Sequence, residues 1–386
     1  MPKCENSALK QIYLDYNATT PVSSYVLDAM LPFLKEHHGN PSSAHAAGRV
    51  AHEAIEVARE EVSGALGASA EDVFFTSGGT ESNNLAIQGV MLQHAPGSGA
   101  HLVISNFEHP AVAGPAAHLK RLGYEVTEVP CDKNGVVQVE AVERALRDET
   151  VLVSIMHANN EVGTIQPIAQ IGELCRGRET LLHTDAAQSV GKLPTFVDEL
   201  NVDLLTIAGH KVYGPKGVGS LYIRSGVSVD PVIHGAGHER GLRPGTENVA
   251  YIVGLGKAMQ LARRSLSESS DRLAGLRDRL ANQLLNGLGD QAKVHGGQAA
   301  RLPNTLSLVF PGVHGASLLA RAPEICASTG SACHESGTAM SATLAALGVT
   351  PDEARGTVRL SVGWYTSEED IDRAASSLLS AWESLV

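Results

Sequence analysis

Short runs rich in β-branched and apolar residues punctuate the first two thirds of the chain: DVFFT, HLVIS, YEVTEV, TVLVSIM, TLLHT, DLLTIA and GSLYIR. Helical patterns lie between them. This alternation, from residue 71 to about 224, predicts an α/β unit: a mainly parallel seven-stranded sheet covered by helices, with ligands at the carboxyl ends of the strands. Ahead of it, Val50, Ala54, Val57, Ala58, Val62 and Ala65 recur at helical spacing. They predict a helix over 49–66 that packs on the sheet unit through that face. From 246 to about 288 a long helical pattern with Arg, Glu and Asp faces predicts a connecting helix. Beyond it NTLSLVF, EICAS and TVRLSVG alternate with two or three helices, the last over 367–385, which predicts a second, smaller α+β unit.

The polar residues that follow these runs are the candidates for chemistry. After DVFFT comes SGGTESNNLAI, where Gly78, Gly79 and Thr80 open a helix and offer backbone N–H groups and a hydroxyl to a phosphate. NFEHPAV with His109 follows HLVIS, HANNEVG with Asn160 follows TVLVSIM, and DAAQS with Asp185 and Gln188 follows TLLHT. Four strand ends are thus expected to share one crevice. AGHKVYGPKGVG, after the sixth run, adds His210 and Lys211. An acid and a lysine so placed are what pyridoxal phosphate chemistry requires, since the cofactor is captured by a lysine and needs a carboxylate beside its ring nitrogen. Asp185 and Lys211 are expected in those two roles. His109 is expected to stack on the ring and shuttle protons, and His210 to reach the phosphate. Gln188, three residues after Asp185, is expected on the same helix face and in contact with the ring hydroxyl.

Composition narrows the class of protein. In 386 residues, 43% hydrophobic and 19% charged, disorder is excluded and there is material for one large and one smaller core. A formal net charge of −12 with no Lys/Arg cluster argues against nucleic acid or an anionic membrane as partner. MPKCENSALKQ has no apolar signal segment and no run approaches a membrane span, so a cytoplasmic enzyme is expected. The five cysteines, Cys4, Cys131, Cys175, Cys326 and Cys333, are widely spaced without a CxxC pair, which suggests neither a disulfide framework nor a metal site.

The segments LDYNATTP, GNPSS, TSGGTESNN, EHPAV, NNEVG, HTDAAQ, GHKVYGPKG, RPGTEN and GSACH, in order from Tyr13 to Gly363, resemble those of the cysteine desulfurases. Selenocysteine lyases are close relatives with nearly the same set. The resemblance implies a fold-type I pyridoxal phosphate enzyme, with a large cofactor-binding domain over 13–262. A small domain over 1–12 and 263–386 would carry the catalytic cysteine loop. It implies a homodimer whose site lies at the subunit interface, Thr246 of RPGTEN reaching the partner subunit's phosphate. By the same resemblance Lys211 carries the cofactor, Asp185 pairs with its ring nitrogen, Gln188 meets its ring hydroxyl, His109 stacks on it, and Gly79, Thr80 and His210 hold its phosphate. Arg359 clamps the substrate carboxylate with Asn160 as its helper. Many desulfurases have a serine where this chain has Ala208, which removes one phosphate contact. Cys333, in ASTGSACHESG, is assigned the nucleophile that takes sulfur from L-cysteine as a persulfide, with His334 beside it.

Three other readings compete with the desulfurase one. Selenocysteine lyase shares the cofactor site and the cysteine. A plain aminotransferase has no use for a loop thiol, and a catalytically dead scaffold for sulfur-assembly partners would not retain Lys211, Asp185 and Cys333 together. A sulfur-acceptor protein is expected as a partner, and the chain ends at Val386, soon after the last expected helix.

Overall fold

A computed structural model describes residues 11–330 and 340–386. The chain enters through a short strand, β1 (Ile12–Tyr13), and the seven expected runs become β2 (Val73–Thr76), β3 (His101–Ser105), β4 (Glu125–Val129), β5 (Thr150–Ser154), β6 (Leu181–Asp185), β7 (Leu204–Ala208) and β8 (Gly219–Ile223). They form one sheet in the order β2-β8-β7-β6-β5-β3-β4. β4, β3, β5, β6 and β7 are parallel, and β8 is antiparallel to both of its neighbours. β2 therefore points the same way as the parallel strands, and Thr76 ends at the same edge as Asp185 and Ala208.

The sheet is apolar on both faces because both are covered. Leu102, Ile104, Leu152 and Leu204 pack with Leu85, Ile87, Val112 and Leu119 on one side; Val103, Val153, Leu205 and Ile207 pack with Ile55, Val62, Ile171 and Leu255 on the other. Neighbours in sequence thus enter opposite cores, the period-two pattern of a strand. Polar groups are left to gather at the strand ends, where the connections leave the sheet.

After a helix over Ser24–Lys35, the helix expected over 49–66 runs Ala46–Leu66, and its buried face is the expected one only in part, Ala58 and Val62 being shared. Ala51, Ile55, Ala58, Val62 and Leu66 face inward, whereas Val50 and Val57 are 39% and 59% exposed. Two apolar stripes compete along this segment, and the stripe carrying Ile55 and Leu66 is the larger. Full burial of each such side chain contributes about 1.5–3 kcal/mol, so it takes the core and rotates the smaller valines out.

After a 40-residue helix, Val249–Leu288, about 60 Å long, come β9 (Lys293–Val294), β10 (Thr305–Val309), β11 (Ile325–Cys326), β12 (Ser328–Thr329) and β13 (Thr357–Ser361). β12-β13-β10-β9 form an antiparallel sheet, and β11 pairs with β1 in parallel. The EICAS run, expected as one strand, is therefore split at Ala327 between two sheets. Leu306, Leu308, Phe310, Val358 and Leu360 pack on Ile371, Ala374 and Leu378 of the last helix, Glu368–Glu383, and on Leu273, Leu276, Leu280 and Leu284 of the long helix. The earlier turns of the long helix place Ile252, Leu255 and Met259 in the large core. The expected division between residues 262 and 263 thus falls inside one continuous helix. Among the described residues no helix is long and apolar enough to cross a membrane.

Candidate active site

The connections that leave β2, β3, β5, β6 and β7 enclose a cavity of about 400 Å³, within the usual range for a small-molecule site. Its lining includes Gly79, Thr80, His109, Asn160, Asp185, Gln188, Ala208, His210, Lys211 and Arg359. Every expected site residue except Thr246 and Cys333 is therefore brought to one space. Thr246 is exposed in the loop before the long helix and does not line the cavity of its own subunit. Cys333 and His334 lie outside the described residues.

The helix Gly79–Met91 begins at the cavity wall. Gly78 precedes it with φ at +146°, a conformation that only glycine adopts readily, and a Cβ on Gly79 would stand 3.2 Å from that of Ala208. The glycine pair lets the helix start lie against the end of β7, with the unpaired N–H groups of the first turn beside the Thr80 hydroxyl. Asp185, the last residue of β6, is buried. Its Oδ1 accepts from Ala187 N at 2.9 Å and its Oδ2 from Asn83 Nδ2 at 2.7 Å, and the Asn83 Oδ1 is itself buried with no partner among the described residues.

Lys211 ends a short helical turn after β7, and its Nζ donates to the carbonyls of Asn17 and, at 2.8 Å, Ala18. Burial, reinforced by the positive charge of Arg359, brings its pKa down to about 8, while Asp185 and Asp15 act the other way. Near neutral pH such an amine exists in both protonation states. His109 caps the helix Pro110–Leu122, its Nδ1 accepting from Ala111 N at 3.1 Å. Burial lowers its pKa. The ring is thus neutral with its proton on Nε2. His210 is held by Thr19 Oγ1 at 3.1 Å from Nδ1, and burial with the nearby lysines lowers its pKa to about 4.

Gln188 does not sit on a helix. The chain after β6 forms successive turns, and Gln188 reaches the cavity because its Nε2 donates to Asn17 O at 2.9 Å while its Oε1 accepts from Lys192 Nζ at 3.1 Å. Lys192 is a second buried lysine, also bonded to Gln188 O at 2.9 Å, and burial lowers its pKa to about 7. Arg359, in the middle of β13, is shielded rather than directed to solvent: its Nη2 pairs with Asp15 Oδ1 at 2.7 Å and its Nη1 donates to Asn160 O at 3.2 Å. Asn160 contributes that carbonyl as well as a place in the lining.

Asn17, Asp15, Lys192 and Asn83 had no expected roles. Asn17 is the most connected of them, its backbone serving Lys211 and Gln188 and its side chain bonding Asn160 O, Thr305 and Asn304. The LDYNATTP motif marked the segment, but nothing local in it names its partners. Glu108, next to His109, is buried with its pKa raised to about 8 by desolvation, its Oε1 accepting from Ser105 and Met156 N. Among the other thiols, burial pushes Cys131 up to about 11 and Cys175 up to about 12, so neither is a ready thiolate.

A helix start, a buried carboxylate, an amine of lowered basicity and a neutral imidazole line one cavity. Residues 12–374 match the family model described as aminotransferase class-V. The chain belongs to the class-V aminotransferases. Within them it is a member of the cysteine desulfurase family. It is 46% identical over 365 residues to a cysteine desulfurase of Dictyoglomus turgidum, covering 94% of this chain and 92% of that protein. It is also 46% identical to one of Methanosarcina thermophila, covering 94% and 90%. A solved NifS-like protein, 39% identical, superposes with a TM-score of 0.91 over 97% of this chain and 100% of that one. A structure described as SspA in complex with cysteine, 37% identical, gives 0.82 over 92% and 99%. Class-V aminotransferases use pyridoxal phosphate, and the donor set of this family member matches that cofactor's ring nitrogen, aldehyde and phosphate.

Proposed function

We propose that the chain converts L-cysteine to L-alanine with pyridoxal phosphate in this cavity, leaving the sulfur as a persulfide on Cys333. The observation that carries this reading is the gathering of Lys211, Asp185 and the Gly79–Thr80 helix start around one space. Pyridoxal phosphate, when bound, supplies a protonated ring that accepts electron density from the α-carbon of an amino acid. Lys211 would hold it covalently and Asp185 would keep its ring nitrogen protonated. The helix start, Thr80 and His210 would take the phosphate, and Ala208 adds only a methyl group there. With Oε1 engaged by Lys192 and one Nε2 proton by Asn17 O, Gln188 has one amide N–H left, which would donate to a ring oxygen. His109 lies in the wall as a neutral ring with its proton on Nε2.

The chain's own groups then divide the work. Arg359 and Asn160 orient the substrate carboxylate. Lys211 Nζ, once the substrate amine has taken its place on the cofactor and left it a free amine with its pKa near 8, would take a proton from the α-carbon and return it to carbon. Cys333 Sγ, as thiolate, bonds to the substrate sulfur while the carbon–sulfur bond breaks; the electron pair stays on carbon, which is protonated to give alanine. Sulfur passes from Cys333 to an acceptor protein. We place the enzyme in the cytoplasm as a homodimer in which Thr246 reaches the partner subunit's phosphate site.

Cys333→Ser tests the reading. The variant is expected to keep the cofactor spectrum, lose alanine formation from L-cysteine, and retain some activity on L-selenocysteine, whose selenium leaves more easily. In the wild type a gain of about 32 Da, one reducible sulfur atom, should map to the Cys333 peptide. Full cysteine activity in the variant would overturn the assignment.

A further inference from the structure

Arg359 is not a bare cation waiting for a ligand. Its Nη2 donates to Asp15 Oδ1 at 2.7 Å and to Ser328 Oγ at 3.0 Å, and the serine hydroxyl in turn donates to Asp15 Oδ1 at 2.9 Å. Ser328 stands directly opposite Arg359 in the β12–β13 register, and Asp15 follows β1, so three chain segments close this triangle. It is largely shielded, with the Arg359 and Asp15 side chains 13% and 19% exposed. Arg359 faces the cavity on one side and, with Ser328, a neighbouring cleft of about 470 Å³ on the other.

The fork geometry of guanidinium makes the triangle consequential. A planar carboxylate binds in bidentate fashion either to Nε with Nη2 or to Nη1 with Nη2, and both edges include Nη2. Nη2 already serves two acceptors, Asp15 Oδ1 and Ser328 Oγ, which are themselves hydrogen-bonded to each other. Nε is buried with no partner among the described residues, and Nη1 has one bond, to Asn160 O. A second carboxylate that takes a two-point grip therefore competes with Asp15 and Ser328 at Nη2.

We propose that Asp15 is a resident counter-carboxylate of Arg359, with which the substrate carboxylate must exchange, so that Asp15 sets the affinity and the single-carboxylate selectivity of the site. The proposal rests on the reading of Arg359 as the carboxylate-binding residue. Asp15 neutralises the guanidinium while the site is without substrate, and its charge disfavours ligands that bring a second carboxylate close by. The same charge is felt at Lys211, where it opposes Arg359.

The test is equilibrium binding to the cofactor-loaded enzyme by calorimetry at fixed ionic strength. L-Alanine carries the carboxylate without the sulfur, and L-alaninamide lacks both charge and fork. Asp15→Asn keeps an oxygen for Arg359 and Ser328 but removes the charge, and should tighten L-alanine by roughly three- to tenfold with no change for L-alaninamide. Asp15→Glu keeps the charge and should bind L-alanine as the wild type does. Unchanged or weaker L-alanine binding in Asp15→Asn, or equal tightening in Asp15→Glu, would overturn the proposal. Arg359→Gln separates the two claims. Loss of the preference for L-alanine over L-alaninamide upholds the role of Arg359 whatever Asp15 does, and retention of that preference removes both.

Discussion

The two halves of the cavity are built on different principles. The half around Asp185, His109, His210 and Lys211 is assembled from the carboxyl ends of strands in one sheet; Ala187 and Ala111, two residues away, bond Asp185 and His109, while Asn83 and the 17–19 segment complete the hold on Asp185, Lys211 and His210. The half around Arg359 is assembled from chain segments up to 344 residues apart, joined by Asp15, Ser328 and Asn160. The first half is placed by the sheet and holds His109, His210 and Lys211, whose protonation is tuned by burial. The second holds an ion pair that a ligand must rearrange. A rigid half for the cofactor and an exchangeable half for the substrate is the division of labour this contrast suggests.

If the strand-end half supplies the electronic part of the reaction, its loss should be the more severe. Asp185→Ala should lower alanine formation at saturating cofactor by roughly two to three orders of magnitude, as removal of a preorganised electrostatic partner does. It should also destabilise the fold by about 1–3 kcal/mol, because Asn83 Nδ2 and Ala187 N lose their acceptor. Single-turnover kinetics and thermal melting read the two effects, and unchanged turnover would erase the distinction between the halves.

The substrate half should respond in affinity. Arg359→Ala should raise KM for L-cysteine and reduce kcat/KM by a factor equivalent to about 2–5 kcal/mol, the range for removing the cation that pairs with a shielded substrate carboxylate. The cofactor's visible spectrum should be preserved. An unaltered kcat/KM would show that the Asp15 pair is structural and that the carboxylate is held elsewhere.

The same contrast explains what the sequence discloses. The inner strands are legible because a buried parallel sheet demands apolar runs, the half-exposed edge strand β4 being the exception, and Asp185, His109 and Lys211 are legible because they directly follow such runs. Gln188 lines the cavity, but its orientation comes from Lys192 and the Asn17 carbonyl, not from helical spacing. Asn17 and Asp15 act through partners distant in the chain, and no local period encodes such pairing. The rotated face of the helix Ala46–Leu66 shows a further limit, since two apolar stripes of similar spacing are separated only by which residues fill the core best.

The central claim is that Lys211, in the strand-end half, is the residue that carries the cofactor. Borohydride reduction of the purified, cofactor-loaded protein followed by peptide mapping tests it most directly. Lys192 is the natural competitor, a buried lysine whose pKa is lowered to about 7, but its Nζ is turned to Gln188 and it does not line the cavity. The reduced adduct is expected on the peptide containing Lys211, with the visible band bleached and no adduct formed in Lys211→Ala. An adduct on Lys192, or a reducible adduct surviving in Lys211→Ala, would contradict the account.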